Sequence, residues 1–352
     1  MNNTLNNNNN LDEFNYKIIN KRLNELSTSH NYNLFSKIII LILLLIILNF
    51  VFIIKIILSE NLDLIINKTT EIESENNHQI NGVNPYDPPI EKTDLSILNR
   101  IIKKNSKYIE LTLDEQKFFN GLLRKVKPKK VIEIGVSSGG SANLILNAIK
   151  DIEGAKLYSI DLSKEAYKFP SKEVGFAVKE NFPELMNKWT LFKGGVTSEF
   201  IEKIGGNIEL AFIDTVHVTP GEKLDWLQVL PFLKEEAIVV FHDTFLMNFP
   251  KVSKKKKHFT NIHLLTYIRG ELILPKYKNS VFSRNIGALK LSRNQSKYYK
   301  QYFLALGEQW DYMISEENIK AIRKFFAKYY GYKYVKIFDD AVINNKKHLS
   351  LQ

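Results

Sequence analysis

A strand, a glycine-rich turn and an apolar helix follow one another over residues 131–142, and this segment constrains the fold most. The strand ends at Ile134, and the turn after it contains Gly135, Gly139 and Gly140. In α/β proteins such a succession brings backbone N–H groups and a helix N-terminus against a small polar ligand. The segment therefore predicts a buried parallel strand with a ligand site at its carboxyl end.

An acidic residue, Asp161, ends the next apolar stretch at residues 157–161. It lies 26 residues after Gly135 (161 minus 135). A carboxylate that binds ribose hydroxyls is expected at about this distance after a glycine-rich turn. The turn and the acid together predict a cofactor that contains adenosine.

Strand and helix patterns alternate through the rest of the chain. A capping box at Thr112 and Glu115 begins a helix before the first strand. Further apolar strands are predicted at 208–214, 237–241 and 286–291. This alternation predicts an α/β fold with a doubly wound, mostly parallel, Rossmann-like sheet that is covered by helices on both faces.

Three later segments are predicted to be helical. A second capping box, formed by Thr219 and Glu222, starts one helix. The connection at 162–189 is predicted to be helical in its second half. The last helix spans 318–330, in a region rich in tyrosine and phenylalanine. Two roles stay open for that region, namely covering the site and pairing two copies of the chain.

The chain divides into four parts: an asparagine-rich, disordered tail at 1–34, a transmembrane anchor at 35–58, a stem at 59–95 and a catalytic domain at 96–352. The anchor prediction rests on residues 38–58, which are almost wholly apolar. As a helix they would span about 31 Å, enough for a bilayer core. A buried helix of a soluble domain would carry a polar stripe, and a cleaved signal peptide would have a shorter apolar run.

Basic residues are unevenly distributed around the anchor. Four lie before it and two lie at or after its end, namely Lys17, Lys21, Arg22 and Lys37, then Lys55 and Lys68. Because positively charged flanks stay in the cytosol, this predicts a single-pass membrane protein with a cytosolic N-terminus. A glycosylation sequon at Asn67 agrees with a catalytic domain on the other side. The cofactor would then have to be transported across the membrane, so the side of the membrane that the catalytic domain faces stays open.

The composition excludes several classes of site. Cysteine is absent, which excludes disulfides, thiolate metal sites and cysteine nucleophiles. The formal net charge is +11, and five lysines fall within residues 251–257. Aromatic side chains do not interleave with these lysines, so nucleic acid is not predicted as a partner. The lysine run is interpreted as a solvated loop.

Acids and histidines concentrate at the predicted carboxyl ends of the strands, where ligands of such sheets bind. They are Glu133, Asp161, Asp214, His217, His242 and Asp243. Asp214, His242 and Asp243 form a donor set for a divalent cation, with positions left for water and substrate oxygens. The alternative is that both acids cap the turns that follow them. His217 is either a surface-loop residue or a general base that takes a proton from a hydroxyl.

These motifs resemble those of class I S-adenosylmethionine-dependent methyltransferases. Residues 133–142 resemble motif I of that class. Residues 212–217 and 240–244 are similar to the later strand-end motifs of the metal-dependent O-methyltransferases of the catechol and macrocin type. The resemblance covers about residues 110–292, and the ordered set of motifs is more specific than motif I alone.

The resemblance implies a role for each residue that matches a motif. Gly135 and Gly139 would let the backbone approach S-adenosylmethionine, whose methionine carboxylate Ser141 would hold. Asp161 would bind the ribose, and Glu133 would support the glycine turn or the amino group of the cofactor. Asp214 and Asp243 would bind a divalent cation such as Mg²⁺, and His217 would be the general base. The third metal position of the family is a carboxylate or asparagine. Here His242 and Thr244 flank Asp243, and either would be the ligand.

The function predicted from the sequence is metal-assisted O-methylation of a hydroxyl on a small molecule or a glycan. A membrane-anchored glycosyltransferase is the first alternative. No Asp-x-Asp motif follows an apolar strand, however, and the pair Asp339–Asp340 lies near the C-terminus. A hydroxylase-like relative on the same scaffold and a non-catalytic descendant of the fold are the other two alternatives.

Overall fold

The computed structural model describes residues 95–245, 261–275 and 285–350. The strands in these ranges are β1 (Lys130–Ile134), β2 (Lys156–Asp161), β3 (Glu165–Ala166), β4 (Phe169–Glu173), β5 (Trp189–Lys193), β6 (Ile208–Ile213), β7 (Leu233–His242), β8 (Gly270–Ile273) and β9 (Ile286–Leu291). Seven of them form one sheet in the order β5-β2-β1-β6-β7-β9-β8, and β3 and β4 form a separate hairpin. The first five strands of the sheet are parallel, and β9 runs antiparallel between β7 and β8.

The helices in the described ranges are α1 (Leu95–Asn105), α2 (Leu113–Val126), α3 (Gly140–Ile149), α4 (Phe176–Asn181), α5 (Thr197–Ile204), α6 (Gly221–Val229), α7 (Asn261–Tyr267), α8 (Tyr299–Leu304), α9 (Glu316–Tyr329) and α10 (Tyr332–Leu349). Five of these ten helices, α3 to α7, lie between consecutive strands of the sheet. The predicted α/β fold with a mostly parallel, doubly wound sheet is therefore confirmed.

Both faces of the sheet are buried, because successive side chains of a strand point to opposite faces. On β1, Val131 belongs to a core that includes residues of α1 to α4. Its neighbour Ile132 belongs to a second core that includes residues of α5 to α10. Helices that precede β5 therefore cover one face and helices that follow it cover the other. The open edge at the carboxyl ends of the strands is where such sheets bind ligands.

The C-terminal helices are fixed to the central domain by specific contacts. Lys328 of α9 forms an ion pair with Glu202 of α5 at 2.8 Å. The hydroxyl of Tyr330 donates to the backbone carbonyl of Leu227 in α6 at 2.6 Å. The helix predicted at 318–330 is thus confirmed, with Glu316–Tyr329 as its observed bounds.

Of the two predicted capping boxes, the structure contains one. The capping box of Thr112 and Glu115 is present at the start of α2. The second one is absent: α6 begins at Gly221 without a side-chain cap, and the predicted capping residue Thr219 instead donates to the carbonyl of Gln309. The connection at 162–189 holds the β3–β4 hairpin and a short α4 before a 3₁₀ turn at Pro183–Lys188.

Several predictions fall outside the described residues. The tail, the anchor, nearly all of the stem and the lysine run at 251–257 belong to this group. Within the described ranges, no helix combines the length and the apolar character that crossing a bilayer requires. The prediction of an anchor at 35–58 and the orientation derived from it therefore stay predictions.

Candidate active site

A cavity of about 1200 Å³ opens at the carboxyl edge of the parallel strands. Its lining includes Gly135, Ser141, Asp161, Asp214 and His217, which come from three neighbouring strand ends. Four other predicted site residues are not part of the lining, namely Glu133, Gly139, His242 and Asp243. A pocket for one small ligand occupies some 300–1000 Å³, so this cavity has room for a cofactor and a second substrate.

The turn after β1 depends on a glycine at position 135. Gly135 has a φ of +88°, in the left-handed region that favours glycine. Its N–H donates to the carbonyl of Ile160 in β2 at 2.9 Å. A Cβ at this position would overlap the backbone carbonyl of Asp214 at the end of β6. Gly135 therefore lets the ends of three strands approach each other at the floor of the cavity.

Asp161 faces the glycine turn directly. One carboxylate oxygen accepts the N–H groups of Val136 and Ser137 at 2.9 and 3.0 Å. The other accepts the N–H of Ser163 at 2.8 Å. A carboxylate oxygen has about two lone-pair directions, so this second oxygen retains one and can still accept a hydroxyl group from the cavity.

Glu133 lies beneath the turn and is fully buried. It accepts hydrogen bonds from the hydroxyls of Ser141 and Ser159, both at 2.6 Å, and so ties β1 to α3 and β2. Of the two roles implied for Glu133, this geometry favours support of the turn. Burial raises its pKa to about 7, although both hydroxyls favour the ionised form.

The raised pKa of Glu133 predicts a dependence of stability on pH. The unfolded chain loses this proton near pH 4.5 and the folded chain near pH 7. Between these values the folded state binds more protons, so the free energy of unfolding falls as the pH rises, by roughly 3 kcal/mol in all. Glu133→Gln removes this contribution, and we expect it to be more stable than wild type at pH 8 but not at pH 4.

Thermal unfolding at pH 4, 6 and 8 measures this effect. An exposed acid, Glu153, provides the matched control, and Glu153→Gln should follow the wild-type curve at each pH. Equal pH dependence in wild type and Glu133→Gln would show that the buried carboxyl does not titrate in this range.

A cluster of two carboxylates and an imidazole lies at the ends of β6 and β7. Ligand atoms of Asp214, His217 and Asp243 all lie within 4.8 Å of one another, and each residue is partly buried. Two oxygens and one nitrogen at such distances suit a divalent cation that keeps further positions for water and substrate. Asn285 orients this cluster by donating to Asp243 at 2.7 Å.

His217 is held between acids on both sides of its ring. Its Nε2 lies 2.9 Å from Asp243, and its Nδ1 lies 3.1 Å from Glu222. Burial by itself lowers the pKa of His217, but the contacts with Asp243 and Glu222 outweigh it and raise the pKa to about 11. The imidazolium thus places a positive charge between these two acids.

His242 has a different position from the one expected of a third metal ligand. Its ring is 4% exposed and lies behind the cluster. Nδ1 lies 3.3 Å from Asp214 and 3.7 Å from Asp243, and Nε2 faces the buried Glu115 of α2 at 3.6 Å. The cluster of three ligand atoms within 4.8 Å includes His217, and His242 connects its two carboxylates to α2. Thr244, the other candidate, is buried as well.

Sequence reasoning missed three residues that shape the site. Glu222 orients His217 and accepts the N–H of Thr215 at 3.2 Å. Glu115 and Asn285 position His242 and Asp243 respectively. Glu222 was assigned to a capping box because a glutamate three residues after a threonine is the pattern of that motif. The other two lie far from the cluster in sequence, and no local signal identifies them.

The acidic pair near the C-terminus lies outside the lining of the cavity. Asp339 of α10 forms an ion pair with Arg323 of α9 at 3.0 Å. Neither Asp339 nor Asp340 is among the residues that line the cavity in the described part of the chain. This pair therefore gives the glycosyltransferase alternative no support at this site.

Comparison with protein families identifies the central part of the chain. Residues 132–244 match the family model described as "Methyltransferase domain". The match begins in β1 and ends just after Asp243, so it contains the glycine turn, Asp161 and the carboxylate–histidine cluster. It confirms the resemblance to methyltransferases that the motifs carry. No curated protein matches the chain significantly.

Solved structures of methyltransferases are similar at low identity. The O-methyltransferase TomG of Streptomyces achromogenes, in complex with SAM, has 12% identity and a TM-score of 0.39, with 56% of this chain and 90% of that chain covered. An O-methyltransferase of Bacillus cereus in complex with SAH has 14% identity and a TM-score of 0.40, with 55% and 90% covered. The SAH-bound methyltransferase PaMTH1 of Podospora anserina has 14% identity and a TM-score of 0.39, with 64% and 96% covered.

Proposed function

We propose that this chain, which carries a methyltransferase domain over residues 132–244, transfers the methyl group of S-adenosylmethionine to a hydroxyl group. One observation carries the proposal: the glycine turn with Asp161 and the cluster with Asp214 and His217 line one cavity. A site for adenosine alone needs no carboxylate–histidine cluster, and a site for a cation alone needs no glycine turn. Their combination suits the transfer of a group from a nucleoside to an acceptor.

The cofactor would be held by the turn and by the start of α3. A ribose hydroxyl is proposed to donate to the carboxylate oxygen of Asp161 that also accepts the N–H of Ser163. The hydroxyl proton of Ser141 is directed at Glu133, so Ser141 would meet the methionine carboxylate through its backbone N–H. That N–H belongs to the first turn of α3, where N–H groups lack partners within the helix and the helix dipole favours an anion.

The cation ligands are proposed to be Asp214 and Asp243, with His217 completing the cluster or acting as the base. When bound, a divalent cation would acidify the acceptor hydroxyl and orient it toward the methyl group. Asp243, one of the acids that raise the pKa of His217, is also a proposed cation ligand, so a bound cation would lower that pKa. A lower pKa would favour the neutral ring, whose Nε2 could accept the proton of the hydroxyl. Glu222 at Nδ1 would orient the ring.

The acceptor is proposed to be a hydroxyl of a small molecule or of a glycan. The test is incubation of the purified protein with S-adenosylmethionine, Mg²⁺ and a panel of catechols and sugars, followed by mass spectrometry. The proposal expects S-adenosylhomocysteine together with an acceptor heavier by one methyl group. Consumption of a nucleotide-sugar, or a product heavier by one oxygen, would support a glycosyltransferase or a hydroxylase instead.

Asp161→Asn tests the cofactor half of the proposal. The variant keeps one carbonyl oxygen and the shape of the side chain but loses the charge-assisted acceptor for ribose hydroxyls. We expect the Kd for S-adenosylmethionine to rise about tenfold or more. Calorimetric titration measures this change, and the exposed acid Asp151 supplies the control Asp151→Asn. Unchanged affinity in Asp161→Asn would exclude the ribose role.

A further inference from the structure

The far end of the cavity is formed by residues outside the matched methyltransferase domain. Tyr312, Met313, Asn318 and Ile322 line it, and all four follow residue 244 by more than sixty positions. They belong to the segment that leads into α9 and to the first two turns of that helix. A C-terminal extension of the domain therefore contributes a wall of the candidate active site.

The wall is built into the fold by contacts on both sides of the cavity. The N–H of Asp311 donates to the carbonyl of Thr219 at 2.9 Å, which fixes the segment before α9 to the loop that follows β6. Ser315 caps α9 by accepting the N–H of Asn318 at 3.2 Å. The ion pair between Lys328 and Glu202 holds the other end of the helix. The position of the wall relative to the cavity is thus determined by packing.

The order of the strands indicates which part of the cofactor this wall meets. Along the carboxyl edge the strands run β5, β2, β1, β6, β7. Asp161 ends β2, and the cluster beside which the acceptor hydroxyl would bind lies at β6 and β7. If the ribose binds at Asp161 and the sulfonium faces the cluster, the base must lie on the other side of the ribose, toward the end of β5. The next helix, α5, begins there at Thr197, and α9 packs beside it through the ion pair of Lys328 with Glu202. Thr197 of α5 and Asn318 of α9 both line the cavity.

Most polar side chains at this end already have partners within the protein. Thr197 and Thr215 both donate to Asp225, at 3.3 and 2.7 Å. Gln228 accepts the N–H of Ser198 and donates to a backbone carbonyl of its own helix. In the described part of the chain, by contrast, the Asn318 amide makes no side-chain hydrogen bond. That amide is therefore available to a ligand.

We propose that Asn318 recognises the adenine base of the cofactor and that the C-terminal extension forms the adenine subsite. A carboxamide offers one acceptor and one donor group side by side, which matches the amino group of adenine and a neighbouring ring nitrogen. Met313 and Ile322 provide apolar surface for the faces of the base. The inference rests on the proposed function, because it takes the ligand to be S-adenosylmethionine.

The test compares two ligands that differ at the base. Calorimetric titration of the full chain with S-adenosylhomocysteine and with S-inosylhomocysteine, which has a carbonyl in place of the amino group, gives the discrimination between them. Wild type should bind the adenosyl compound at least about tenfold more tightly, since one bidentate pair contributes that much. Asn318→Ala should weaken the adenosyl compound about tenfold and bring the ratio near one.

Two controls separate the possible outcomes. Glu317→Ala changes an exposed neighbour in the same helical turn and should preserve both affinities. Asn318→Ala leaves the cap by Ser315 intact, because that bond uses the backbone N–H of residue 318, and its thermal unfolding should match wild type. If wild type binds S-adenosylhomocysteine and Asn318→Ala retains the full discrimination, the inference is wrong while the proposed function stands. If wild type binds neither compound, both fail.

Discussion

Replacing Asp243 by asparagine is expected to abolish methyl transfer while cofactor binding persists. The change removes one of the two carboxylates of the cluster and the partner of His217 at 2.9 Å. Loss of cation binding and of the ordered base should lower the rate by about a thousandfold. The fold should tolerate the substitution, because an asparagine oxygen still accepts the hydrogen bond from Asn285. Asp243 does not line the cavity, so the Kd for S-adenosylmethionine should stay near the wild-type value.

Activity and binding are measured on the same preparation to separate these effects. Asp151→Asn alters an aspartate whose side chain is 85% exposed, and it should have wild-type activity. EDTA should abolish the activity of wild type, and excess Mg²⁺ should restore it. Full activity of Asp243→Asn, or activity that resists EDTA, would contradict the assignment of the cluster as a catalytic cation site.

Gly135→Ala should destabilise the protein strongly, although it adds only one methyl group. The new Cβ would occupy the position of the Asp214 carbonyl, and an L-residue at a φ of +88° is strained in any case. Relief requires the end of β1 to move away from β6, which also displaces Asp214. We expect the free energy of unfolding to fall by about 3 kcal/mol or more. Binding of S-adenosylmethionine should be lost at the same time.

Gly154→Ala is the matched control for this prediction. Gly154 has a φ of +71°, but a Cβ added there meets no atom within 4 Å. The control therefore carries the conformational strain without the overlap and should cost about 1 kcal/mol. Urea unfolding of both variants gives the comparison. Equal losses in the two variants would mean that the close approach at Gly135 has no energetic role.

The glycine turn and Asp161 were predictable because each depends on local order along the chain. A buried strand followed by Gly135 fixes where the backbone turns, and an acid at the end of the next strand lies at the same edge of a parallel sheet. For the same reason the sequence placed Asp214 and Asp243 at that edge. The structure brings all of these residues to the carboxyl edge of the sheet.

The choice between the two histidines needed the three-dimensional structure. His242 and Asp243 are adjacent in sequence, which suggested a shared role. The two side chains remain close, since Nδ1 of His242 lies 3.7 Å from a carboxylate oxygen of Asp243. His242 is nevertheless buried, and its Nε2 faces Glu115 of α2. His217 reaches the cluster because its loop returns toward Asp243 across the end of β7.

The wall that contains Asn318 carries no signal in the sequence. Its helix was predicted from an apolar pattern, but that pattern specifies only which face packs and not what the first turn meets. The position arises from contacts such as Lys328 with Glu202, which join parts of the chain that are 126 residues apart. Sequence spacing cannot predict such long-range packing, so the cavity lining was the least predictable part of the site.

Titration of the purified wild-type protein with S-adenosylmethionine tests the central claim most directly. The claim is that the glycine turn and Asp161 hold a sulfonium nucleoside beside the carboxylate–histidine cluster. We expect saturable binding with one site per chain and no binding of a nucleotide-sugar under the same conditions. Failure to bind S-adenosylmethionine at millimolar concentration, or binding of the nucleotide-sugar in its place, would contradict the assignment.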